Sequence, residues 1–340
     1  MAETSSMARD IDCLICGTCV ADILVRPVGL NEPIGGGRLL HVDPIEVVTG
    51  GIVCNTGVGL ARLGGSVAAA SLVGRDPWAD VIRSRLTAEG IDTAPLIAHD
   101  TLGTSTTAVL IDPGGERSFA HHVGAPSAIN LAFIERLAGY LARSHWALFG
   151  YLGLLPGLEA DLGPAMAAAK QAGCLVALET GGSGGTLAQL APALPHVDLY
   201  VPSLDEAVHQ TGLADPSAII ACYRDHGATG IVGVKLGTKG ALLTPPTGAA
   251  APHREIMVPC VTPPGPVVDT TGAGDAFLAG LLAGLLREMP LADAGLVAAA
   301  NAACCVTGYG ATAALRSFDA TWQLASSTSS ELGACRDNSR

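Results

Sequence analysis

The stretch that most constrains this chain is Asp269-Thr270-Thr271-Gly272-Ala273-Gly274-Asp275. A Pro-rich connector, Pro259 to Pro266, and the β-branched pair Val267-Val268 precede it; the apolar run Ala276 to Leu282 follows and reads as a helix. A Gly-x-Gly followed at once by a carboxylate, at a loop-to-helix junction, prescribes local physics. The first-turn N–H groups of a helix have no intrahelical partner, and the helix dipole adds partial positive charge there. Glycines keep side chains away, so phosphate oxygens can reach the bare backbone. A carboxylate beside such a pocket repels an anion, but it is well placed to take a proton from a hydroxyl attacking that anion. The plainer alternative is a tight turn in which Asp275 only caps the helix.

The second half of the chain alternates strands and helices, as a doubly wound sheet requires. Its 340 residues suffice for one large α/β domain or two smaller ones, and 49% hydrophobic against 15% charged residues describes a large core. A net charge of −12 argues against nucleic acid and anionic membrane surfaces as partners. Met1 to Asp10 is polar and lacks a signal-peptide core, and the longest apolar run, Ala276 to Leu286, is too short to span a bilayer. The expectation is a soluble, cytoplasmic protein with reduced thiols. Cys13, Cys16 and Cys19 form a C-x-x-C-x-x-C, but they begin on a buried strand, where side chains alternate faces. Small buried cysteines fit better than a metal site.

The string Asp-Thr-Thr-Gly-Ala-Gly-Asp-Ala-Phe from Asp269 resembles the C-terminal signature of the ribokinase-like (PfkB) family of sugar and nucleoside kinases. A second stretch, Gly50-Gly51-Ile52-Val53-Cys54-Asn55, resembles that family's N-terminal signature, G-G-x-x-x-N, and leads into an apolar helix closed by Gly64-Gly65. The resemblance runs from residue 11 to about 318. It implies one Rossmann-type domain, a three-layer α/β/α sandwich with a small β-sheet lid from residues 23–49 and 98–123, and tails at 1–10 and 326–340. The lid's second part is also legible by itself: Thr104 to Asp112 and Glu116 to His122 flank Pro113-Gly114-Gly115, a hairpin pattern. His121 and His122 could contact substrate or line a lid edge, but with no carboxylate partner in view polar surface is the favoured reading.

The implied activity is ATP-dependent phosphorylation of a sugar or sugar-acid hydroxyl; a nucleoside kinase and a non-catalytic binding relative are the alternatives. Asp275 would be the general base, with Gly272, Ala273 and Gly274 forming the anion hole. Asp22, Gly50, Gly51 and Asn55 would hold the acceptor. Lys235, Gly237, Gly240 and the helix carrying Asn301 would line ATP. Glu206 would hold Mg²⁺ through water, with Ser203 standing where the family's N-x-x-E motif has Asn. Asp269, Thr271 and Gly310 would share a monovalent cation, K⁺. Glu179 to Gly185 departs from the family's Asp-containing loop, so the acceptor's identity stays open. A homodimer through the lid is compatible with the resemblance.

Overall fold

Along β1 (Ile11–Gly17), Cys13 and Ile15 enter one hydrophobic core while Leu14 and Cys16 enter another. A strand buried on both faces must be central to a layered α/β domain. The computed structural model describes residues 9–31, 35–182, 184–249 and 254–337, with backbone alone for 329–337. After β1 come β2 (Val20–Val25), β3 (Glu46–Gly50), α1 (Gly51–Arg62), β4 (Val67–Val73), α2 (Pro77–Ala88) and β5 (Leu96–Ala98). A hairpin, β6 (Ser105–Ile111) and β7 (Arg117–His122), precedes α3 (Leu131–Arg136), α4 (Ala138–Arg143) and β8 (Ser144–Gly150). Then follow α5 (Leu162–Gln171), β9 (Leu175–Leu178), α6 (Leu187–Leu190), β10 (Leu199–Tyr200), α7 (Leu204–Thr211) and α8 (Pro216–Asp225). The chain closes with β11 (Ile231–Lys235), β12 (Ala241–Thr244), β13 (Ile256–Val258), α9 (Ala273–Leu286), α10 (Leu291–Cys305) and α11 (Phe318–Asp337).

Nine strands form one sheet in the order β13-β12-β11-β10-β9-β8-β1-β4-β5. It is parallel from β5 to β11 and antiparallel at β12 and β13. The helices α1, α9 and α10 contribute to the core on one face, and α3, α5 and α8 to the core on the other. A second sheet, β3-β2-β6-β7, forms the lid expected from the hairpin pattern. Strands β2 and β6 run parallel in it, with Asp22 opposite Thr107.

Residues 1–8 of the expected N-terminal tail lie outside the described residues, while Asp10 is held by Arg143, Nη2 to Oδ2 at 2.6 Å. At the other end, α11 continues as helix to Asp337 instead of fraying at Ser326. Phe318, Trp322 and Leu324 pack against the core and anchor the first turns. Continuation past Ser326 then costs little, because Ser and Thr are only modestly worse than Ala in a helix. Among the described residues, no helix is long and apolar enough to cross a membrane.

Candidate active site

Gly272 is the residue before the first turn of α9, and its backbone is left-handed, φ +76°. An added Cβ would lie 2.2 Å from the Ala311 Cβ, so neither the conformation nor the space admits a side chain. The first helical bond runs from Ala276 N to Gly272 O, 2.8 Å. The N–H groups of Gly274 and Asp275 therefore have no intrahelical partner and face the site. The turn thus has the loop-to-helix geometry expected from the sequence.

Asp275 is buried, 4% exposed, at this helix start. Its Oδ2 accepts hydrogen bonds from Asn55 Nδ2 at 2.8 Å and from the Tyr151 hydroxyl at 2.5 Å. Burial pushes its carboxyl above the usual range, and the two donors together with Lys235 only partly offset that. Burial also pushes the Tyr151 phenol up, and the Asp275 charge adds to the effect, so Tyr151 stays a proton donor to the carboxylate. A carboxylate held this way is oriented and more basic than a solvated one.

Two cavities meet at this point. One, about 290 Å³, is enclosed partly by the lid and is lined by Thr18, Asp22, Gly50, Gly51, Asn55 and Thr107, among others. Gly50 gives Asp22 its room, since a Cβ there would come within 2.1 Å of Asp22 Oδ2. Burial raises the Asp22 carboxyl, and Thr107 and His121 work against the rise. Two polar atoms in this wall, Thr18 Oγ1 and Asn55 Oδ1, are buried without a hydrogen-bond partner. Such groups cost free energy unless a ligand meets them. His121 lines the same cavity, 3.0 Å from Thr107 Oγ1. The reading of it as plain surface is corrected: pairing β6 with β7 sets His121 opposite Thr107, whose β2 partner is Asp22.

The other cavity, about 740 Å³, is walled by small and apolar residues, including Ala299, Ala302, Ala303 and Val306 of α10 and the turn after it. Gly237 and Gly240 form its turn beyond β11; a Cβ on Gly240 would lie 2.0 Å from Val258 O. Lys235 reaches the start of α9, for a Cβ on Gly274 would lie 3.2 Å from its Nζ. Its ammonium pairs with Glu179 Oε2 at 3.0 Å. Burial opposes the Lys235 charge, but Glu179, Glu206 and Asp275 outweigh it, and its pKa lies above the usual value. Burial pushes the Glu179 carboxyl up to about 7, assisted by Glu206 and Asp275 and opposed by Lys235. Ser203 and Glu206 form a reciprocal cap at the start of α7, Ser203 N donating to Glu206 Oε2 at 2.7 Å, and both line this cavity.

Asn301 stands elsewhere. It is fully buried, donating from Nδ2 to Ala276 O at 2.8 Å, and its Oδ1 has no partner. It braces α10 against α9 and is sealed from the cavity that the alanines beside it line. The second departure concerns Asp269, Thr271 and Gly310. Asp269 accepts from Thr271 N at 2.9 Å, from Gly310 N at 2.7 Å and from Arg117 Nη2 at 2.6 Å. Arg117 Nη1 also donates to Thr271 Oγ1. Burial acts against the Asp269 charge, yet Arg117 and the two backbone donors hold its carboxyl below the usual range. Three N–H donors thus meet the carboxylate that was expected to share a cation.

Tyr151 and Arg117 are the site residues that sequence reasoning missed. Tyr151 directly follows Gly150 at the carboxyl end of β8, where open sheets bind ligands, and that position was the available signal. Arg117 had none, because an arginine in a hairpin is ordinary.

A sequence model described as pfkB family carbohydrate kinase matches residues 13–317. The chain belongs to that family. As a pfkB carbohydrate kinase it is a phosphotransferase with an alcohol group as acceptor. It is 30% identical to a fructokinase of Salmonella typhimurium over 283 residues, 80% of this chain and 83% of the relative. It is 31% identical to an aminoimidazole riboside kinase of the same species over 282 residues, 78% and 84% of the two chains. The ribokinase of Arabidopsis thaliana, solved with ribose and ATP, superposes with a TM-score of 0.79 at 23% identity, covering 94% of this chain and 99% of that one. This likeness gives the pfkB chain its ribokinase-like α/β fold with a large mixed sheet and a second small one.

Proposed function

We propose that this kinase transfers the γ-phosphoryl group of ATP to a hydroxyl of a small sugar, with Asp275 as general base. The observation that carries the reading is the buried Asp275 at the start of α9, bonded to Asn55 of the smaller cavity and lining the larger one. An acceptor hydroxyl under the lid would give its proton to Asp275 as it attacks. The N–H groups of Gly274 and Asp275 and the Lys235 ammonium would meet the charge developing on the transferred group. ATP fits the larger cavity, whose alanines, glycines and Val306 leave room for a flat base.

Mg²⁺, when bound, would neutralise phosphate charge. Glu206, with Ser203, supplies hard oxygen donors suited to holding it through water.

For the acceptor, Asp22 and the unpartnered oxygens of Thr18 and Asn55 suit a ligand that both donates and accepts, as a polyol does. A volume of about 290 Å³ fits a monosaccharide better than a drug-sized ligand. The sugar-acid option is weaker, because Arg117 is paired with Asp269 and Arg26 with Glu46. A riboside is the second reading, favoured by Phe119 and Tyr309 in the same wall and by the riboside-kinase relative. A second copy could cover the exposed Phe119 through the lid, which sedimentation would detect.

The test is a thermal-shift panel of free sugars, sugar acids, sugar phosphates and nucleosides, followed by phosphoryl transfer from ATP. A free sugar should stabilise the protein and accept phosphate. Stabilisation by a nucleoside with no responding sugar would overturn the choice.

A further inference from the structure

The lid and the anion hole are joined by one side chain. Arg117 starts β7, the outer strand of the lid hairpin, yet its guanidinium ends on Asp269 and Thr271, in the loop that turns into Gly272 and α9. The Asp269 side chain is 3% exposed. A carboxylate so buried costs several kcal/mol unless a positive partner or several donors meet it. Two backbone N–H groups meet it here, from Thr271 and Gly310, and a cation beside them completes its neutralisation.

Two sources of that charge are possible, a free cation or a tethered one. The oxygens of the loop decide between them. Both Asp269 oxygens are taken by N–H donors, as is Thr271 Oγ1. The carbonyls of Thr271 and Ala311 converge on the Cys305 thiol, which donates to them at 3.4 and 3.2 Å. A monovalent cation would compete with a guanidinium for the carboxylate and with a thiol for the carbonyls.

We propose that Arg117 is a positioning residue that supplies from the lid the positive charge this loop needs, in place of a free monovalent cation. Thr271 immediately precedes Gly272, so the guanidinium fixes the segment that presents the N–H groups of α9. Arg117 also lines the acceptor cavity. Its bridge thereby couples the lid's seating over the acceptor to the shape of the anion hole. The inference rests on the kinase reading for its activity arm, and a melting arm stands apart from it.

The experiment compares the full chain with Arg117→Gln in potassium and in tetramethylammonium chloride at equal ionic strength. Wild-type turnover and melting temperature should be the same in both salts. In tetramethylammonium, Arg117→Gln should lose about a hundredfold in kcat, the scale of a small misplacement of catalytic groups. Added K⁺ or millimolar guanidinium should restore a measurable part of that, since the vacated carboxylate can then take a free cation. K⁺ should also raise the variant's melting temperature. Activation or thermal stabilisation of the wild type by K⁺ would overturn the proposal, and that measurement needs no variant. Unchanged turnover in Arg117→Gln, or a loss that neither cation rescues, would overturn it as well. If no acceptor is phosphorylated by the wild type, the kinase reading fails, and the melting comparison still decides the cation question.

Discussion

The two cavities differ in what makes them. The larger is walled by backbone and small side chains, with Gly237, Gly240 and the alanines of α10 shaping it and Lys235 as its deep cation. The smaller is walled by larger side chains, in which the polar Asp22, Asn55, Thr107 and His121 are set among apolar ones such as Leu24 and Val109, most of them delivered by strands of a separate sheet. A shape-built wall admits one kind of ligand and depends on residues that cannot be enlarged. A wall built from side chains is retuned by exchanging them. On the proposed function, acceptor choice would belong to the lid side, nucleotide use to the β11–α10 side, and the chemistry to the start of α9 between them.

Substitutions can break this division. Apart from the base itself, the largest effect is expected at Gly272. Alanine there would need a left-handed backbone and would strike Ala311, distorting the hole. Steady-state kinetics should find kcat lowered by about a hundredfold, with the affinity for ATP largely kept. Near-normal kcat would mean that the turn is not where charge is stabilised.

A smaller, one-sided effect is expected at Asp22. Asp22→Asn keeps the shape but removes a charged acceptor of hydrogen bonds, so the acceptor KM should rise by about tenfold to a hundredfold. The KM for ATP should stay as it was. Parallel changes in both would erase the distinction between the cavities.

The smallest effect is one of pH. The Glu179 carboxyl stands at about 7 in the folded protein against 4.5 for an ordinary glutamate. For a raised acid, the folded state binds the extra proton, so stability is greatest below about 4.5 and declines as pH rises toward about 7. Glu179→Gln should flatten that segment of a melting-temperature profile. A profile identical to the wild type would remove Glu179 from the titrating cluster.

How much of this was legible beforehand follows the same divide. The start of α9 could be read because its turn, its glycines and its base are contiguous from Asp269 to Asp275. Asp22 and Asn55 were singled out only through the resemblance to the family's N-terminal half, since each by itself is an ordinary residue. Tyr151 and Arg117 were not, since each acts on a residue more than a hundred positions away, and no local pattern marks such a contact. Asn301 was misjudged for a related reason. On an alanine-rich helix, an isolated amide serves a ligand or a neighbouring helix equally well, and only the packing decides. Here α10 lies so close to α9 that a Cβ on Gly280 would come 2.7 Å from Ala298 Cα, and Asn301 is sealed in the same interface.

The central claim is that Asp275 takes the acceptor's proton. Its most direct test is single-turnover phosphoryl transfer by Asp275→Asn with ATP and acceptor both bound, beside a calorimetric check of that binding. Asparagine preserves shape, and Asp275 makes no helix-capping hydrogen bond that it would lose, but it cannot act as the base. The account predicts a transfer rate lower by at least about 10², with both ligands still bound and the fold intact. A rate near that of the wild type would contradict it.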